Sequence, residues 1–140
     1  MKTPRGDHTA ARLADGRLLM PGGSHDSEVG NLAQAELYDP ATGRFTATGS
    51  VATVRSDATA TLLSDGRVLI AGGFHPGFPP SAIDSAELYD PTTGKFSPTG
   101  SMATARYGGT ATRLSDGCVL IAGGMDDNTT LLASAELYQP

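Results

Sequence analysis

One segment of about fifty residues occurs three times in this chain. A repeat of that length is a supersecondary unit that packs against its own copies, so it restricts the fold more than any other feature. Residues 55–73 align without gaps on residues 106–124, with 14 of 19 positions identical, and residues 5–23 fit the same frame. The double glycines keep the period, with 50 residues from Gly22 to Gly72 and 51 from Gly72 to Gly123. A second block, Ala-Glu-Leu-Tyr followed closely by Pro, recurs at 35–40, 86–91 and 135–140. Its glutamates Glu36, Glu87 and Glu136 are 51 and 49 residues apart.

Each unit reads as four short strands. In the second copy, residues 59–63 are rich in Thr and Leu and end at Asp65-Gly66. That pair supplies the positive φ angles of a tight hairpin turn. Residues 68–71 are a continuous apolar run, as in a strand covered on both faces. The run stops at Gly72-Gly73, where backbone freedom or close approach of a neighbour is needed. A loop of variable composition follows. Residues 85–89 then alternate Ala86 and Leu88 on one face with Glu87 and Tyr89 on the other. Asp90-Pro91-Thr92-Thr93-Gly94 is a turn, with Pro presetting φ and Gly in the left-handed position. Residues 95–98 form the fourth strand. No window keeps a helical apolar period free of Gly and Pro, so the chain is expected to be all-β.

Composition narrows the class. The 140 residues carry 10 Lys plus Arg against 15 Asp plus Glu, a net charge of −5. That balance argues against a nucleic-acid binder, which needs a basic footprint. With 18% charged and 39% hydrophobic residues, the chain is neither disordered by charge nor greasy enough for a membrane protein. No run approaches the roughly 20 apolar residues of a membrane helix. Residues 1–8 lack the apolar centre of a secretory signal. The compartment is therefore left open: cytoplasmic if Met1 is the true start, secreted if a leader precedes it. The single cysteine excludes an internal disulfide framework and any multi-cysteine metal site.

A four-stranded unit of about fifty residues, its second strand ending in a double glycine, resembles the kelch repeat. The words DGRVLIAGG at 65–73, AELYDP with TG and F at 86–96, and TGSM at 99–102 are similar to the bacterial galactose oxidase central-domain type. The resemblance covers residues 5–140. It implies an all-β, kelch-type β-propeller in which each unit is one blade, a four-stranded antiparallel sheet. The blades fall at approximately 5–50, 51–101 and 102–140, the third lacking its outer strand. Kelch units usually carry Trp on the fourth strand; this chain has Phe45 and Phe96 there and no Trp. Propellers close with roughly 4 to 8 blades. Three blades make a partial propeller, expected to be a segment of a longer protein or a chain that a second copy completes.

In such a propeller the loops between second and third strands and the links between blades share one face. The variable segments are 24–32, 74–83 and 125–132, and function in repeat folds concentrates in such loops. Arg5, Arg55 and Arg106 recur at the link entering each blade. Similarity to kelch propellers that capture acidic peptides implies that these arginines line the channel mouth, where the guanidinium fork suits carboxylates. Their repetition also fits scaffold pairing with Glu36, Glu87 and Glu136, or with carbonyls between blades. Tyr107 stands where the other copies have Gly6 and Ser56, which makes it a more distinctive candidate contact. Phe74 and Phe78 are candidates from the second loop. His25, His75 and Asp126 each occupy the second position after a double glycine. Converging on an axis they suit a divalent metal, but no close local ligand pair supports one and exposed loop polarity is the plainer account. No metal or cofactor is expected.

The resemblance to galactose oxidase raises copper-radical chemistry, which needs a cysteine beside a ligand tyrosine and two histidines. Cys118 takes the place of Arg17 and Arg67 after a hairpin turn, a drifted repeat position, and Tyr38, Tyr89 and Tyr138 are a repeated scaffold set. There is no nucleophile elbow, phosphate loop or zinc-protease helix motif. The expected function is a non-catalytic scaffold that presents loops on one face to a protein, peptide or carbohydrate partner. The alternative is a fragment of a secreted galactose-oxidase-like or sugar-acting enzyme whose catalytic residues lie on other blades.

Overall fold

The computed structural model describes residues 1–25, 32–77 and 79–140. The first sheet joins β1 (Ala11–Arg12), β2 (Leu18–Met20), β3 (Gln34–Asp39) and β4 (Arg44–Ser50) in that order. The second joins β5 (Thr59–Leu62), β6 (Val68–Ala71), β9 (Ala86–Asp90) and β10 (Lys95–Pro98), with a small hairpin of β7 (Phe74–His75) and β8 (Ser81–Ala82) set apart from it. The third joins β11 (Thr110–Arg113), β12 (Val119–Ala122) and β13 (Ala135–Tyr138). Every pairing is antiparallel. No helix long and apolar enough to cross a membrane occurs among the described residues.

The Asp-Gly hairpins form, with a geometry that differs from a two-residue turn. Leu63 donates to the Arg67 carbonyl at 2.8 Å, leaving Ser64, Asp65 and Gly66 as a three-residue loop. Only the glycine has positive φ, at 88° for Gly66. Asp65 serves differently, its carboxylate accepting the Arg67 amide at 3.0 Å and pairing with the Arg67 side chain. A three-residue loop with glycine in the left-handed position is the next commonest way to join two strands.

Alternation along the strands builds two apolar layers. Val68 lies opposite Tyr89 and Leu69 opposite Leu88, so neighbouring residues of β6 serve opposite faces. Val68, Ile70 and Tyr89 pack with Leu13, Leu19 and Leu37 of the first sheet. Leu69, Ala71, Ala86 and Leu88 pack with Val119 and Ile121 of the third. All four residues of β6 are buried, as expected for a strand sandwiched between neighbours. Each large apolar side chain so buried contributes about 1.5–3 kcal/mol. Phe45 and Phe96 on the fourth strands have ring centroids 4.8 Å from those of Tyr38 and Tyr89 on the third.

The sheets stand side by side. First strand faces first strand, β1 against β5 and β5 against β11, while the outer strands β4 and β10 also touch. The double glycines make this approach possible, and the two residues divide the task. A Cβ on Gly22 or Gly72 would lie 2.5 Å from the carbonyl of Arg55 or Arg106, in the next sheet. A Cβ on Gly23 or Gly73 would instead meet a carbonyl of its own sheet's entry segment, Gly6 or Ser56, at 2.7 Å.

Candidate functional site

The segment leading into each sheet is pinned by a buried guanidinium. Arg55 donates to the carbonyls of Gly72 at 2.7 Å and Ser85 at 2.9 Å, and to Glu87 at 3.1 Å. Arg5 does the same with Gly22, Gln34 and Glu36, and Arg106 with Gly123, Ser134 and Glu136. Each glutamate also accepts two backbone amides of the incoming chain, Ala52 and Thr53 in the case of Glu87. Burial alone would raise the carboxyls of Glu36 and Glu136. The amides of Lys2 and Thr3, or of Ala103 and Thr104, together with the paired arginine, outweigh it and hold both below the usual glutamate value. Burial pulls Arg55 below its ordinary value, against the opposing pull of Glu87.

These contacts engage Arg5, Arg55 and Arg106, the expected ligand-binding residues at a channel mouth, in the second arrangement that their repetition fits, pairing with Glu36, Glu87 and Glu136. All three are buried, and the forks that suit a partner's carboxylate are taken by the chain's own glutamates and carbonyls. Their guanidinium donors are engaged within the chain.

The residue after each arginine forms a backbone bridge with the residue after each double glycine: Gly6 with Ser24, Ser56 with Phe74, Tyr107 with Met125. This brings together two candidates that lie far apart in sequence. Phe74, from the second sheet's loop, and Tyr107, from the link into the third sheet, have ring centroids 5.1 Å apart and planes tilted by 55°. Both are half-buried. The corresponding pair at the junction of first and second sheets is Ser24 and Ser56, so the aromatic contact belongs to one junction alone.

Beside it runs a short inner ladder. The Asp57 amide donates to the Asp7 carbonyl at 2.8 Å and the Gly108 amide to the Asp57 carbonyl at 3.0 Å. Asp7, Asp57 and Gly108 occupy one repeat position and share positive φ, at 48°, 49° and 65°. Desolvation, reinforced by the negative charge of Asp7, raises the Asp57 carboxyl above the ordinary aspartate value. Both side chains are exposed. Sequence reasoning passed over this pair. The glycine at the third copy of the position is the signal that marks it, since glycine and aspartate both tolerate a left-handed backbone.

The remaining candidates are dispersed into local structure. His75 accepts the Gly77 amide on Nδ1 at 2.9 Å. Asp126 accepts the amides of Asn128 and Thr130, each at 2.9 Å, in a self-contained turn. His25 is half-buried at the edge of the first loop. Phe78 and residues 26–31 of that loop lie outside the described residues. No group of three His, Cys, Asp or Glu side chains converges among the described residues. The loop at 74–83 holds the β7–β8 hairpin, and the Ala82 amide there donates to Asp127, tying the second and third loops together. Cys118 sits in the hairpin turn at the opposite end of the sheet. Desolvation and the nearby Asp116 raise its thiol, away from a reactive thiolate.

Antiparallel sheets set side by side, with links and loops gathered at one end, define a β-propeller-like fold. Residues 58–103, which span the second sheet and the link out of it, match the Kelch motif and support a kelch repeat protein. No curated protein matches the chain. Kelch repeats are commonly protein-interaction scaffolds.

Proposed function

We propose that the chain is an arc of three kelch blades, the third lacking an outer strand, and that it acts as a non-catalytic scaffold holding a protein partner on its link-and-loop face. The observation that carries this reading is the Phe74–Tyr107 contact. The repeated residues are consumed in the scaffold, while these two non-repeated aromatics meet at one junction of that face. Aromatic side chains with half-exposed rings are the commonest anchors of protein interfaces. Exposed Asp7 and Asp57 close by, and the net charge of −5, favour a basic segment over an acidic one.

A random peptide display library selected against the chain tests this. Recovered peptides are expected to be rich in Lys, Arg and aromatics, and to bind Phe74→Ala and Tyr107→Ala variants at least tenfold more weakly, a loss of about 1.4 kcal/mol. Peptides that bind both variants as tightly as the parent would remove the aromatic pair from the site.

A further inference from the structure

The three Asp-Gly hairpin turns share one backbone and differ in one side chain. Leu13, Leu63 and Leu114 each donate, at 2.8 Å, to the carbonyl of the residue four positions on. Gly16, Gly66 and Gly117 take positive φ, at 91°, 88° and 92°. Their amides donate to the carbonyls of those same leucines at 3.0, 3.2 and 3.1 Å. Asp15, Asp65 and Asp116 each accept the amide of the residue two positions on, at 3.0 Å. In the first two turns that residue is an arginine whose guanidinium also grips the carboxylate. Arg17 holds Asp15 at 2.7 Å and Arg67 holds Asp65 at 2.6 Å, and in each the Nε donates to the same oxygen, at 2.8 and 2.7 Å. The grip keeps both carboxyls below the ordinary aspartate value. In the third turn Cys118 stands in that place, and a thiol is an uncharged, weak donor.

An aspartate followed by glycine carries its own reaction. Glycine has no Cβ to shield its amide, so that nitrogen can reach the aspartate Cγ of the same turn. Attack forms the nitrogen–Cγ bond of a succinimide, and the carboxyl hydroxyl leaves with the amide proton as water. A second water then opens either ring carbonyl. Opening at Cγ restores aspartate. Opening at the main-chain carbonyl leaves isoaspartate, with the backbone routed through Cγ and the free carboxylate on Cα. Water is lost once and regained once, and nothing is oxidised or reduced. The leaving group belongs to the neutral acid, so a carboxylate held ionised and fixed in a guanidinium fork is a poor starting point.

We infer that the Asp116-Gly117 step is a site of spontaneous isoaspartate formation in the folded chain, and that Arg17 and Arg67 protect the equivalent steps at Asp15 and Asp65. The comparison is internal, because residues 64–66 and 115–117 are the same tripeptide, Ser-Asp-Gly. Exposure does not separate the sites. The Asp15 and Asp65 side chains are 48% and 43% exposed although another sheet follows each, and Asp116 is exposed as well. Packing of a neighbouring sheet therefore leaves this position open to water, and the arginine is what differs.

Incubating the full chain in heavy-oxygen water, at mildly acidic pH and physiological temperature, tests this. Each passage through the succinimide exchanges one oxygen with solvent, and tandem mass spectrometry after digestion in ordinary water locates the label. Asp116 is expected to gain several times as much heavy oxygen as Asp65 or Asp15. Cys118→Arg is expected to bring Asp116 down to the level of Asp65, and Arg67→Cys to raise Asp65 to that of Asp116. In guanidinium chloride, where the turns are lost, Asp65 and Asp116 are expected to label alike. Equal labelling in the folded parent, a Cys118→Arg variant that leaves Asp116 unchanged, an Arg67→Cys variant that leaves Asp65 unchanged, or a difference that survives denaturant would each overturn the inference.

Discussion

The amide of Gly73 donates to the backbone carbonyl of Arg106 at 2.9 Å, across the junction of the second and third sheets. The same arginine's guanidinium holds Ser134 and Glu136 within the third sheet. One residue thus organises its own sheet through its side chain and receives the preceding sheet through its backbone.

This division predicts unequal costs at equivalent glycines. Gly72 and Gly123 share positive φ, at 66° and 68°. Alanine at either pays a left-handed backbone penalty of about 1–2 kcal/mol. Gly72→Ala also forces a methyl onto the Arg106 carbonyl, adding about 1–3 kcal/mol of overpacking. Urea denaturation is expected to show Gly72→Ala as clearly the worse. Equal losses would mean that the Arg106 carbonyl does not approach Gly72.

The Arg55–Glu87 pair is buried, with N–O at 3.1 Å. Removing one member leaves the other charge buried and unpaired, a cost of roughly 3–5 kcal/mol. Glu87→Ala and Arg55→Met are each expected in that range, and the double variant is expected to lose far less than their sum. Additive losses in a thermodynamic cycle would show that the two side chains do not act together.

Although Asp57 is exposed, partial desolvation and the negative charge of Asp7 hold its carboxyl above the ordinary value of 3.8. The folded state therefore keeps this proton longer than the unfolded one, and stability falls as pH rises through the folded-state value. Asp57→Asn, which also tolerates the positive φ, is expected to raise the melting temperature at neutral pH and to match the parent below pH 3.8. An unchanged melting temperature at neutral pH would contradict this.

Glu36 and Glu136 behave in the opposite sense, since their folded-state values lie below the ordinary 4.5. The stability they contribute is present above pH 4.5 and is lost as pH falls through the lower folded values. Glu36→Gln is expected to melt lower than the parent at neutral pH and to show a shallower acid decline. Melting temperatures followed down through the carboxylate range would reveal it, and parallel curves would refute it.

Much of this architecture was legible locally. The bounds of β6 and β10 match the apolar run and the post-turn segment read from sequence. The face assignments of Ala86, Leu88, Glu87 and Tyr89 follow from the two-residue period of a strand. The loop at 74–83 was less legible, because the β7–β8 hairpin depends on Phe74 also pairing with Ser56 across the entry segment. The candidate site was legible only in part. Phe74 and Tyr107 stood out as non-repeated residues, but nothing in either segment says that they meet.

The amino-acid sequence by itself determined the repeat, the turns and the side of each strand that turns inward, because these depend on contacts between residues close along the chain. Only the tertiary structure decided that the arginines are internal staples, that each double glycine serves two different neighbours, and that an aromatic pair and two aspartates gather at the loop end. The arginine–glutamate partners are 31, 32 and 30 residues apart. Such partners meet because each entry segment folds back against the third strand of its own sheet, which the strand pairing brings there and no local pattern encodes.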